Sequence, residues 1–185
     1  MRIDAATGWL EDGARRVESP NCDDRPPGCE PELIVIHGIS LPPGEFGGPG
    51  VDELFCNALD PGAHPYYRTI CELRVSSHVL ISRTGAITQY VPFKRRAWHA
   101  GESSYCGRPA CNDFSVGIEL EGTDDTDYER VQYERLAELV RALRRTYPLL
   151  QRAELVGHSD IAPGRKTDPG PHFDWSLLEQ LANEG

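Results

Sequence analysis

The sequence predicts an α/β fold, a single domain with a mixed central β-sheet flanked by α-helices. Three observations carry this. Leu33-Ile34-Val35-Ile36 is continuously apolar and rich in β-branched residues, the composition of a strand buried on both faces. Residues 74–91 alternate in polarity about a Thr84-Gly85 turn, which is the pattern of a β-hairpin. Tyr133, Leu136, Ala137, Val140 and Leu143 recur at helical spacing and make one apolar stripe that another layer must cover. With 185 residues, 39% of them hydrophobic, one core suffices, so residues 1–185 read as one domain.

In chain order, residues 1–31 are rich in Pro, Gly and Asp and read as an extended leader lying on the domain surface. The buried run 33–36 follows and ends in His37. Ser40 to Gly50 holds too many Pro and Gly residues for regular structure and forms a loop bordering a cleft. Val51, Leu54, Phe55, Ala58 and Leu59 predict a short helix stopped by Asp60-Pro61-Gly62. The hairpin joins a strand from Arg74 to Arg83 to one from Ala86 to Val91. Phe114 to Glu121 alternates, with Phe114, Val116, Ile118 and Leu120 on one face and Ser115, Gly117, Glu119 and Glu121 on the other. Thr126 to Glu129 has capping-box spacing ahead of the long helix, which must end before Pro148. Glu154 to His158 is a last strand, and Asp174 caps a terminal helix whose Trp175, Leu178, Leu181 and Ala182 face inward.

The formal net charge of -10 argues against a nucleic-acid footprint and against an anionic membrane surface as partner. The sequence has no apolar run long enough to cross a bilayer and no apolar signal region at its start, so the expected location is the cytoplasm, and a monomeric state is expected. In that compartment the six cysteines are expected as free thiols. Cys22/Cys29 and Cys106/Cys111 lack the tight spacing of structural zinc knuckles.

The chemistry concentrates between Leu155 and Asp174. An apolar strand delivers His158, and a Pro/Gly-punctuated loop returns Lys166 and Asp168 to the same neighbourhood. An imidazole and a carboxylate are ligands that zinc accepts, and a catalytic zinc needs three of them with one position open. His37, at the end of the buried run, is the third ligand favoured here; His78 competes, but mid-strand histidines are more often satisfied core residues. A lysine beside a metal makes sense if it stabilises an oxyanion, the role open to Lys166. Glu119 shares its sheet face with Gly117 and is the candidate general base, with Glu121 a structural partner. Trp98 is either a platform for a sugar face or a core plug.

Five stretches then resemble a known family: His37 to Gly48, Leu73 to His78, Trp98-His99-Ala100-Gly101, Asn112 to Gly122, and Gly157-His158 through Pro171. They are similar to the AmpD-type N-acetylmuramoyl-L-alanine amidases of the type 2 amidase superfamily, relatives of phage lysozyme-type amidases and peptidoglycan recognition proteins. The resemblance implies the corresponding fold, one Zn2+ per chain, and hydrolysis of the lactyl-L-alanine amide of 1,6-anhydro-N-acetylmuramyl peptides in cytoplasmic peptidoglycan recycling. It implies ligands at His37, His158 and Asp168, catalytic roles for Glu119 and Lys166, and substrate contacts at Arg74, Trp98, His99 and Gly38. Gly38 departs from the family, in which Asn is expected after the first histidine, and the missing amide puts one substrate hydrogen bond in question, not the metal. The zinc cleft is expected along one sheet edge. A non-catalytic peptidoglycan-recognition module would lack a ligand or the base, and a wall-lytic amidase would need an export signal.

Overall fold

The computed structural model describes residues 1–184. Its elements are β1 (Ala14–Arg16), β2 (Cys22–Asp24), β3 (Leu33–Ile39), α1 (Gly50–Phe55), α2 (Tyr67–Ile70), β4 (Val79–Ile81), β5 (Ile87–Gln89), β6 (Arg95–Ala97), β7 (Ser104–Tyr105), β8 (Arg108–Pro109), β9 (Ser115–Glu121), α3 (Arg130–Thr146), β10 (Leu155–Gly157), α4 (His158–Ile161) and α5 (Trp175–Asn183). The central sheet has the order β1-β5-β4-β9-β3-β10. β4, β9, β3 and β10 run parallel, while β5 is antiparallel to β4 and carries β1 parallel to itself. The sheet is therefore mixed, as the buried run and the hairpin together require.

Strand alternation divides the protein into layers. Ile34, Ile36, Val116, Ile118, Leu120, Val79 and Ile81 meet the buried side of α3 and the α5 residues Leu178 and Ala182 in the main core. Gln132 fastens α3 to the sheet: its Nε2 donates to the carbonyls of Ile81 (3.2 Å) and Glu121 (3.0 Å). The opposite face is covered by smaller clusters, one around Leu33, Val35 and Ile161 and one around Leu41, Leu54 and Tyr90. That side, with short covering segments in place of a long helix, has room for a cleft.

Several boundaries differ from the sequence expectation. The leader is built into the sheet: β1 is its edge strand beside β5, and β2 pairs antiparallel with β6. Arg25 holds the leader in place, donating to the carbonyls of Asn112 (3.1 Å), Asp113 (3.0 Å), Phe93 (3.1 Å) and Ser115 (2.9 Å). The first strand of the hairpin covers only Val79–Ile81; before it, Ser76 and Ser77 direct their hydroxyls to the carbonyls of Asn21 and Gly117. α1 stops at Phe55, and α3 starts after Glu129, whose N–H donates to Gln132 Oε1 (2.9 Å), so the cap lies three residues beyond Thr126. Asp174 caps α5 by accepting from the Leu177 N–H (2.9 Å). The six cysteines stand unpaired, and among the described residues no helix is long and apolar enough to cross a membrane.

Candidate active site

The parallel register pairs His37 of β3 with Glu119 of β9, so both side chains leave the same sheet face side by side. Next to β3, β10 ends at Gly157 and hands over to His158, the first residue of α4. The loop bearing Asp168 is tied back at both ends of that residue: the Ser159 N–H donates to the Asp168 carbonyl (3.0 Å), and the Tyr128 hydroxyl donates to the Pro169 carbonyl (2.9 Å). These groups gather at the carboxyl ends of three parallel strands, the usual place for a site in such a sheet. The cleft lies over the sheet face, with His37 and Glu119 on interior strands, and not along the sheet edge that the sequence suggested.

Three atoms converge there. His37 Nδ1 and His158 Nδ1 are 3.0 Å apart, and Asp168 Oδ2 lies 3.1 Å from the first and 3.2 Å from the second. His158 Nε2 faces the Ala100 carbonyl at 3.2 Å, so it carries the proton and the Nδ1 of that ring presents a lone pair. At most one proton, from His37, is then available inside a triangle of three acceptors. A cation relieves that crowding. A tetrahedral zinc with bonds of about 2.0–2.2 Å spaces its donors roughly 3.3–3.6 Å apart, close to the spacing already present, and two imidazoles with one carboxylate are a known catalytic zinc set. The donor set fits zinc; it is also the only group of three or more His, Cys, Asp or Glu side chains so arranged among the described residues.

The electrostatics agree. Burial pushes the His37 imidazole down to about 4, with Asp168 opposing, so the ring is neutral at physiological pH. Burial disfavours the Asp168 carboxylate, but its two imidazole neighbours, His158 and His37, outweigh it and hold that group below the usual carboxylate range. Glu119 behaves in the opposite way. It is 8% exposed, its Oε2 has no hydrogen-bond partner, and burial, with Asp168 adding and Lys166 opposing, lifts its pKa well above the ordinary value. Lys166 is exposed and lines the same cleft of about 530 Å³, together with Leu41, Tyr66, Leu73, Thr123 and Asp124.

The other sequence candidates divide. His78 is fully buried, accepts from the Gly117 N–H through Nδ1 (3.0 Å) and donates through Nε2 to the Arg95 carbonyl (3.0 Å), so it offers no free lone pair. Gly38 lines the cleft, and a Cβ there would collide with the Tyr128 hydroxyl; the space a side chain would need is filled by that group. His99 also reaches the cleft, but it is buried and both its ring nitrogens are engaged, with His37 and with Ser115, so a direct substrate hydrogen bond from this ring is excluded. Trp98 and Arg74 lie outside the lining: the indole N–H donates to Asp23 (3.1 Å), and the exposed Arg74 guanidinium rests on the carbonyls of Cys71 (3.4 Å) and Leu73 (3.3 Å). Glu121 is structural, accepting from the N–H groups of Gly47 and Arg83. Sequence reasoning missed Tyr66 and Tyr128, whose neighbours give no periodic signal.

Comparison with known proteins places this geometry in context. The family model for N-acetylmuramoyl-L-alanine amidase matches residues 27–171. The 1,6-anhydro-N-acetylmuramyl-L-alanine amidase AmpD of Escherichia coli K12 is 58% identical over 177 residues, covering 96% of this chain and 96% of its own. A crystal structure of a selenomethionine AmpD derivative superimposes with a TM-score of 0.94 at 57% identity, covering 98% of this chain and 99% of the other. AmpDh3 of Pseudomonas aeruginosa, in complex with an anhydromuramic pentapeptide, gives a TM-score of 0.59 at 30% identity over 86% of this chain and 63% of that one.

Proposed function

The chain belongs to the N-acetylmuramoyl-L-alanine amidase family, a family of hydrolases, and from this we propose that it cleaves the amide between the lactyl group of 1,6-anhydro-N-acetylmuramic acid and L-alanine, using one zinc held by His37, His158 and Asp168. The observation that carries the reading is the convergence of two imidazole Nδ1 atoms and one carboxylate oxygen within 3.2 Å of one another beside an unpartnered buried glutamate. Its relatives' names supply the substrate class, and the cytoplasm is the compartment in which such a recycling enzyme would meet it.

Zinc in this position supplies Lewis acidity toward water and toward the scissile carbonyl. The chain's own groups do the rest. Glu119, its pKa raised by burial, takes a proton from the attacking water and passes it to the leaving amine of L-alanine. Lys166 extends from the cleft rim, where its ammonium opposes the negative charge that develops on the carbonyl oxygen. Burial of Glu119 and of the two histidines keeps bulk water from competing for these interactions. Arg74, loosely held between the cleft-lining Leu73 and Val75, is free to swing toward a peptide carboxylate.

Metal analysis tests the assignment. The purified protein should carry one zinc per chain, and His37→Ala, His158→Ala and Asp168→Ala should each lose it while His78→Ala keeps it. Zinc retained by His37→Ala and lost by His78→Ala would overturn the ligand set.

A further inference from the structure

We propose that His99 and Ser115 are positioning residues that fix the tautomer of His37, and that they do so through a hydrogen-bond chain whose direction is set by one backbone carbonyl. The inference rests on reading His37 as a zinc ligand. Four groups lie in series: His37 Nε2 is 2.9 Å from His99 Nδ1, His99 Nε2 is 3.1 Å from Ser115 Oγ, and Ser115 Oγ is 2.6 Å from the Cys111 carbonyl.

A carbonyl oxygen only accepts, so the Ser115 hydroxyl donates its single proton to Cys111. The hydroxyl oxygen is then left to accept, and His99 Nε2 must carry the proton it receives. Neutral imidazole has one N–H, so His99 Nδ1 bears a lone pair and accepts from His37 Nε2–H. By the same count His37 Nδ1 is bare, and it is the nitrogen facing His158 and Asp168. Reversing any link would oppose two donors or two acceptors inside a buried chain, which costs the desolvation of both. With His158 fixed independently by the Ala100 carbonyl, both rings present lone pairs and the triangle contains no proton.

The strand is shaped for this arrangement. Ser115, Gly117 and Glu119 alternate onto one face of β9. Ser115 anchors the chain, and Glu119 stands beside His37. Gly117 lies between them, and any Cβ there would penetrate the His99 ring. The Asn112 side chain holds the His99 backbone from the other side, accepting its N–H at 3.1 Å. Serine and glycine at these two positions are thus required by the imidazole next to them.

The test starts with the wild-type, metal-free protein. Side-chain ¹⁵N NMR at neutral pH should show Nε2 protonated and Nδ1 bare on both His37 and His99; a proton on His99 Nδ1 would overturn the proposal without any variant. Zinc affinity, measured by chelator competition, should then fall about 10- to 100-fold in Ser115→Ala, the usual effect of removing a group that orients a metal-bound histidine. Ser115→Thr, which keeps the hydroxyl, should restore affinity within about threefold of wild type by the same argument. Wild-type affinity in a folded Ser115→Ala protein refutes the chain's role even if His37 remains a ligand. Correct tautomers in a protein that binds no zinc would instead refute the metal assignment and leave the hydrogen-bond chain standing.

Discussion

Replacing Glu119 by glutamine separates catalysis from stability, with opposite signs. The amide matches the carboxylate in shape but cannot take a proton from water, so turnover should fall on the order of 10²- to 10⁴-fold, or about 2.7–5.5 kcal/mol of barrier, with zinc retained. Stability should move the other way. In the folded protein Glu119 is 8% exposed with one unpartnered oxygen, and burial, reinforced by Asp168, raises its pKa well above 4.5. A carboxyl whose pKa is raised by folding contributes stability below its unfolded value, and that contribution is lost as pH rises through the folded one. Near neutral pH the metal-free wild type therefore carries a penalty on the order of 1–3 kcal/mol, the cost of an unsatisfied buried polar group. Glutamine removes the ionisable part of it. For a protein of this size each kcal/mol is worth roughly 2–4 °C, so metal-free Glu119→Gln should melt a few degrees above wild type at pH 7 and together with it near pH 4. Calorimetry of the zinc-free proteins at the two pH values, with turnover on an anhydromuramyl peptide and zinc content by elemental analysis, supplies the readings. Turnover within about threefold of wild type, with zinc bound, would remove Glu119 from the proton-transfer role; a melting temperature lowered equally at both pH values would show that its carboxylate is a structural partner.

The metal-free protein should also be acid-sensitive. Burial depresses His37 to about 4, His78 to about 3, and His99 well below the ordinary value, so each contributes stability above about 6.5 that is lost as pH falls. Three neutral buried histidines that must take up protons on unfolding are offset only in part by the buried Glu119 carboxyl, so stability should fall as pH drops from about 6 toward about 4.5. Denaturant titrations across that range give the slope, and a flat profile would contradict the neutral buried histidines. Arg74→Ala should raise the Michaelis constant for an anhydromuramyl substrate with a longer, carboxylate-bearing stem peptide and hardly affect one carrying L-alanine alone. Surface pairs are worth only about 0–1 kcal/mol, so equal effects on both substrates, or none, would return Arg74 to a surface role.

Much of the site was legible because strand periodicity carries facing information. The buried run ending in His37, the alternation that sets Glu119 on the face of Gly117, and the short strand before His158 each follow from local pattern, and the parallel register brings them together. The leader was not legible: β1 and β2 are three residues each, and their partners Ile87 and Ala97 lie more than 70 positions away, beyond any periodic signal. Arg74 to Ser77 alternates like a strand, but the serine hydroxyls bond to neighbouring backbone and the pairing starts only at Val79. The partnership of His99 with His37 spans 62 positions and depends on the missing side chain at Gly117, a contact that sequence spacing does not encode. Filling of the Gly38 position by Tyr128 is of the same kind.

The measurement that bears most directly on the central claim is turnover of a purified anhydromuramyl tripeptide by the protein stripped of metal and then titrated with zinc. The predicted result is no cleavage without metal, and recovery that saturates at one zinc per chain, with free 1,6-anhydro-N-acetylmuramic acid and a peptide beginning in L-alanine as the two products. Binding of the substrate with no cleavage at saturating zinc, or full turnover in the presence of excess chelator, would contradict it.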